Sequence, residues 1–280
     1  MISALSVVAA ALVAATTATT PAGATQDEIR AYWTPEAMAE AVAASEDPHP
    51  DGVSWTYGTE SVRNVGRLFM EIPDGKKATC TAAVVEAANR SVITTAAHCV
   101  HLKAVGGWMK KLLFVPAYDK GASPYGSYVA KSVAIAPAWS AREDHKADFA
   151  FVTLGPDEQG RSVQNVTGGR PASFAPVPGE KTALGYPFVK PYDGETLQYC
   201  SGPTTPVNDQ RLVGGEQLKP CRMTNGASGG PWYARTAEGK DVQVGVTSAR
   251  PKEPGLENVA WGAMFDETAR ELHRHAEQLK

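Results

Sequence analysis

The chain has 280 residues, enough to bury a sizeable core in one large domain or two modest ones. Its 27 basic and 30 acidic residues nearly balance at a formal net charge of −3, so nothing in the charge points to nucleic acid or an anionic membrane as partner. With 26 glycines, 20 prolines and no long heptad pattern, a turn-rich fold is favoured over a helical bundle.

Residues 1–24 read as an export signal. Residues 2–19 carry no charge, and the "AGA" at 22–24 offers small residues for cleavage after Ala24. No Lys or Arg precedes the apolar run, which departs from the usual signal pattern. The run is Ala- and Thr-rich and weakly hydrophobic, so a membrane anchor is the poorer reading. Residues 25–60 read as a propeptide or N-terminal extension. Within "TQDEIRAYWTPEAMAEAVAA", Ile29, Trp33, Met38 and Val42 are spaced to share one helical stripe, and "SEDPHPDG" then breaks the chain.

From about residue 62 the pattern turns to short strands. "VGRLFMEI", "TAAVVEA", "SVITTAA", "KLLFVPAY", "YVAKSVAIA" and "FAFVTL" are separated by turns. A polar, glycine-rich stretch from about 155 to 175 looks like a connection between two halves. Strands resume with "KTALGYP", "ETLQYC", "QRLVGGEQ", "VQVGVTSA" and "ENVAWGAMF". Residues 266–280 predict a helix capped by Asp266, with Ala269, Leu272 and Leu279 on its packed face. The expected architecture is all-β: two tandem six-stranded antiparallel β-barrels, 61–160 and 161–265, followed by that C-terminal helix.

The four cysteines, Cys80, Cys99, Cys200 and Cys221, are even in number and follow an export signal, so they are expected to pair. Three connectivities exist, and sequence neighbourhood favours Cys80–Cys99 and Cys200–Cys221. No C-x-x-C pair is present, which argues against zinc, and neither a metal nor a cofactor is implied.

Two stretches carry chemistry. In "NGASGGPW", Ser228 stands between small residues in a glycine-rich turn that can expose its hydroxyl. There Gly226 lets its own N–H and that of Ser228 point at one spot, as an oxyanion hole requires. A serine hydroxyl is a poor nucleophile without a base, and a base needs a group that fixes its tautomer. His98, in "TTAAHCV", is the candidate base. Asp148, just before a buried strand, is the candidate orienting carboxylate. Asp144 is its rival, but it sits with His145 in the charged run "REDHK", which reads as a solvated loop. His273 and His275 read as surface residues of the last helix.

"TTAAHC", "DFAFVTL" and "NGASGGPW", in the order His, Asp, Ser, resemble the trypsin/chymotrypsin-like serine peptidase family over about residues 60 to 265. The nearest flavour is that of secreted bacterial trypsin-like and glutamyl-endopeptidase-like members. The resemblance implies that His98 is the general base, Asp148 the orienting group, Ser228 the nucleophile, and Gly226 with Ser228 the oxyanion donors. It also implies that Cys80–Cys99 pins the histidine loop, and that the active site lies in the cleft between the two barrels. The implied function is a secreted, monomeric serine endopeptidase acting on polypeptides through an acyl-enzyme, with no cofactor. "GVTSAR" resembles the strand lining the primary specificity pocket, which makes Thr247 and Ser248 candidate substrate-binding residues.

Three departures bear on mechanism. Ala227 replaces the family's Asp before the nucleophile, Thr247 stands where glutamyl-specific members carry His, and Arg222 stands six residues before Ser228. No Ile/Val-Val-Gly-Gly start of a mature chain is visible. The rival functions are a catalytically inactive binding protein on the same fold and a hydrolase of another fold. Against the second, the run around Ser228 stands in a β-hairpin context, not a strand-to-helix elbow.

Overall fold

A computed structural model describes residues 15–19, 24–42, 53–54 and 62–279. Most of the expected export signal and the linker at 43–52 lie outside the described residues. Among the described residues no helix is long and apolar enough to cross a membrane.

Six strands close the first barrel: β1 (Val65–Glu71), β2 (Lys77–Val84), β3 (Val92–Thr95), β4 (Lys110–Pro116), β5 (Tyr128–Ile135) and β6 (Ala150–Leu154). Their spatial order is β1–β2–β3–β6–β5–β4, and β4 returns to β1. The second barrel is built from β7 (Glu180–Gly185), β8 (Gln198–Pro206), β9 (Glu216–Leu218), β10 (Pro231–Arg235), β11 (Asp241–Ala249) and β12 (Ala260–Met264). Its order, β7–β8–β9–β12–β11–β10 and back to β7, repeats that of the first. Every pairing within the barrels is antiparallel. The expected architecture of two closed six-stranded barrels is the observed one.

Closure removes the unpaired strand edges that an open sheet would expose. Several strands lack clean alternation because their outward faces are covered as well. β6 is buried along its whole length. One reason is a helix, α3 (Glu267–Gln278), which follows the second barrel yet packs on β5 and β6 of the first. Its N-cap Asp266 accepts from Ala269 N, and Ala269, Leu272 and Ala276 are buried. Thr153 Oγ1 donates to Ala276 O at 2.9 Å, and the His273 ring packs on Phe151. His273 is therefore half-buried and engaged, not a bare surface residue. Leu279 falls one residue past the helix as its C-cap and is half-buried.

The stretch expected as one helix forms two, α1 (Gln26–Tyr32) and α2 (Pro35–Val42). A proline lacks the N–H that a helix interior needs but suits a helix start, so Pro35 ends one helix and opens the next. Thr25 caps α1 in a capping box with Glu28. The stripe of Ile29, Trp33, Met38 and Val42 is buried against Phe69, Leu113, Val115, Tyr118 and Val129 of the first barrel and Leu184 and Tyr186 of the second. Trp33 Nε1 donates to Lys111 O at 2.7 Å. Burying Ile29, Met38 and Val42 stabilises this docking by about 1.5–3 kcal/mol each. None of these barrel partners is a candidate site residue. Residues Thr16–Thr19 add a short strand to β5, and Val53–Ser54 one to β8.

Candidate active site

His98 stands in a single 3₁₀ turn, Ala97–Cys99, immediately after β3. β3 is buried to its end, and the Cys80–Cys99 disulfide ties the turn that follows back to β2. The two sulfurs lie within 4.8 Å of a His98 ring nitrogen. Being bonded to each other, they are not thiolates and offer no metal ligand. Cys200–Cys221 joins β8 to the segment leading into the serine loop. Both pairings are those favoured by neighbourhood in the sequence.

Asp148 is fully buried just ahead of β6. Three donors satisfy it. The His98 backbone N–H donates to Oδ1 at 2.9 Å, the His98 Nδ1–H to Oδ2 at 2.8 Å, and the Ser248 hydroxyl to Oδ2 at 2.6 Å. The ring bond sets the tautomer: with the proton on Nδ1, neutral His98 keeps its Nε2 lone pair for another proton. Burial raises the cost of charge on both groups. The attraction between them and their shared hydrogen bond outweigh it, holding the His98 pKa above its ordinary value and that of Asp148 below. Asp144, the rival, instead caps the turn His145–Ala147 through Lys146 N and pairs with Arg142 at the surface.

The serine loop is tied to the first barrel in the middle of β2 and at the end of β3. Thr81 N donates to Ser228 O at 2.9 Å, and Thr81 Oγ1 donates to Gly226 O at 2.8 Å. Gly229 lies so close to Thr95 and Ala96 that any side chain there would overlap Thr95 Oγ1. Thr95 and Ala96 lead directly into the His98 turn, so the half-buried Ser228 stands in the loop that packs on the segment carrying His98. Within the loop, Ala227 N donates to Thr224 O at 3.2 Å, whereas the N–H groups of Gly226 and Ser228 donate to nothing among the described residues. Gly226, at φ +94°, and Ser228 thus keep uncommitted N–H groups on either side of a committed one.

Ala227 is buried in the apolar cluster of the second barrel with Met223, Trp232 and Val244. Thr247 and Ser248 also lie at the site, but their side chains point inward. Thr247 Oγ1 accepts from Trp232 Nε1 at 3.0 Å, its carbonyl accepts from Gly229 N and its N–H donates to Gly230 O. Ser248 sits at a β-bulge between Thr247 and Ala249, where the ladder with β12 slips. Its hydroxyl is the third donor to Asp148, a role the sequence did not suggest. The only signal was a hydroxyl residue in a strand already linked to the site. Thr81, which bridges both barrels, carries no mark in the sequence either; a threonine in a strand is ordinary.

The family model described as "Trypsin" matches residues 57–262. No curated protein matches the chain. Among solved structures, the protease Anisep from Arthrobacter nicotinovorans is 29% identical, with a TM-score of 0.70, covering 78% of this chain and 97% of its own. A thermostable serine protease, AL20, from an extremophilic microorganism is 31% identical, also at a TM-score of 0.70, covering 79% and 100%. A Glu endopeptidase solved with MPD is 17% identical at a TM-score of 0.62, covering 82% and 98%, a likeness of fold alone.

Proposed function

Because this chain belongs to the trypsin family of serine-type endopeptidases, we propose that it cleaves peptide bonds through His98, Asp148 and Ser228, with an acyl-enzyme on Ser228 Oγ. The single observation that carries the reading is the fully buried Asp148, held by three donors, one of them the His98 Nδ1–H. A buried carboxylate in that arrangement presents the opposite face of the ring, Nε2, as a base.

The steps follow the general template of serine peptidases. Ser228 Oγ attacks the scissile carbonyl carbon as His98 Nε2 takes its proton. The carbonyl oxygen becomes an oxyanion received by the N–H groups of Gly226 and Ser228. The C–N bond then breaks, His98 protonates the leaving amine, and the acyl ester remains on Ser228. Water, deprotonated by His98, hydrolyses that ester. Asp148 stays ionised throughout and stabilises the imidazolium. An extended substrate would pair with the strand at the Ser248 bulge, where Ser248 offers backbone rather than side-chain contacts, while Thr247, its N–H and carbonyl engaged with Gly230 and Gly229, supports that strand from behind.

The protein acts on polypeptides as an exported monomer, with neither metal nor cofactor. Support comes from the signal-like residues 1–24 and from four cysteines joined in two disulfides, which persist in oxidising compartments. Residues 25–60 form an extension whose removal is not a chemical switch. A new N-terminal amine would find no carboxylate at Ala227, and a buried unpaired ammonium would cost several kcal/mol. Cleavage of a peptide library, read by mass spectrometry, tests the activity and maps the preferred residue. Thr247 and Arg222 offer no carboxylate and no histidine, so strict preference for Arg/Lys or for Glu is not expected. A library left intact would contradict the function.

The base must be neutral to work, and its pKa is raised, so activity should rise with pH through a midpoint above the reference value of about 6.5. The stability contributed by the His98–Asp148 pair through the histidine runs the other way. It is fully present below the unfolded histidine pKa and is lost as pH rises through the folded one. A kcat/KM profile flat from about pH 5 to 9 would exclude a histidine base.

A further inference from the structure

Arg67, on β1, has none of its surface exposed. Among the described residues no carboxylate comes within ion-pairing distance of it. Instead Nε donates to Gly194 O at 2.7 Å, one terminal nitrogen donates to the same carbonyl and to Tyr186 O at 3.2 Å, and the other donates to Thr79 Oγ1 at 2.7 Å. The guanidinium lies 5.3 Å from the Tyr186 ring centroid and 5.7 Å from that of Tyr118. Burial lowers its pKa to about 10, which leaves it charged at neutral pH. Asp193 and Glu195 act on it only from beyond contact, and a buried charge without a contacting counter-ion is expensive; an apolar side chain of similar size would cost less. What the guanidinium offers is a planar fan of donors that can satisfy several carbonyls of an irregular segment at once.

The segment it satisfies, 186–194, is irregular backbone, and its other face carries the serine loop. Tyr186 N donates to Thr81 Oγ1 at 2.9 Å, and the same hydroxyl donates to Gly226 O. Phe188 N donates to Asn225 O at 2.8 Å, and Val189 N to Thr224 Oγ1 at 3.2 Å. Gly226 lies so close to the Tyr186 carbonyl and the Phe188 ring that a methyl group would overlap both. On the outer side, Val42 of α2 packs over Gly194. With alanine at position 227, that position supplies no carboxylate for an ion pair to order these amides.

We propose that Arg67 is a positioning residue for the oxyanion site: it fixes the 186–194 segment, and that segment fixes the Gly226 N–H. The proposal rests on the peptidase reading above. Arg67 never touches substrate; it acts through Tyr186, Thr81 and Phe188. Its loss should therefore weaken binding of the transition state while leaving the ground state nearly untouched.

The test compares wild type with Arg67→Met, Arg67→Lys and Thr81→Val on one peptide amide substrate, with a peptide aldehyde as a mimic of the tetrahedral adduct. Arg67→Met should lower kcat by about 100-fold, the scale of losing one oxyanion donor, with KM within about threefold. Aldehyde affinity should fall with kcat. Arg67→Lys should recover part of the loss, and Thr81→Val should show the same split between kcat and KM. If Arg67→Met does not fold, the other two variants decide. Unchanged kcat in folded Arg67→Met or Thr81→Val, or a raised KM at unchanged kcat, overturns the proposal. A wild-type protein that neither hydrolyses the amide nor binds the aldehyde removes the peptidase reading instead, and the proposal with it.

Discussion

Ser228→Ala and His98→Ala should each lower kcat for amide hydrolysis by about 10⁴-fold or more, and the double substitution should be little worse than either alone. The non-additivity follows from the mechanism: without the hydroxyl the base has nothing to activate, and without the base the hydroxyl stays a weak nucleophile. Neither change should unfold the protein. The Ser228 side chain makes no hydrogen bond among the described residues, and its backbone carbonyl still accepts from Thr81 N. In His98→Ala, Asp148 loses one of three donors but keeps the backbone N–H of residue 98 and the Ser248 hydroxyl. Steady-state kinetics together with a thermal melt separate the two effects. Hydrolysis near the wild-type rate in Ser228→Ala would contradict the assignment of the nucleophile.

Gly226→Ala should also be damaging, though less so and for a different reason. At φ +94° the backbone disfavours any side chain, and the added methyl would overlap the Tyr186 carbonyl and the Phe188 ring. The loop must shift, and the Gly226 N–H moves away from the point where the oxyanion forms. The expected cost is about 10²–10³-fold in kcat with a small change in KM, because the donor acts on the transition state alone. His98 and Asp148 are untouched, so the pH midpoint should stay where wild type has it. An unchanged kcat would mean that the amide at 226 is not an oxyanion donor. A shifted midpoint would mean that the substitution disturbed the base.

Much of the fold was legible because short apolar runs separated by turns are a strong signal for closed β architecture. β1, β4, β5 and β11 fall within a residue or two of the runs that announced them. β10, Pro231–Arg235, was not anticipated. It opens with proline directly after the glycine-rich loop and ends in an arginine, so it lacks both alternation and a long apolar run. "QRLVGGEQ" resolves into a 3₁₀ turn, Gln210–Leu212, and only a three-residue strand, β9. Its glycines favour turning over pairing.

At the site, residues that announce chemistry by type and neighbours were visible: a histidine before a cysteine, a serine among glycines, an aspartate before a buried strand. The residues that hold them were not. Ser248, Thr81 and Arg67 matter through contacts at sequence separations of 100, 145 and 127 residues, respectively to Asp148, Gly226 and Gly194. No local pattern encodes such pairings. Arg67 was the hardest to foresee, since a charged residue in a strand normally marks a solvated face.

The most direct measurement is to treat the full chain with a fluorophosphonate probe and map the adduct by peptide mass spectrometry. Such a probe bonds covalently to a serine oxygen only where a neighbouring base and an oxyanion site activate it. Labelling confined to Ser228, abolished in His98→Ala and slowed in Gly226→Ala, is the result expected. No adduct at Ser228, or equal labelling with and without His98, would contradict the account.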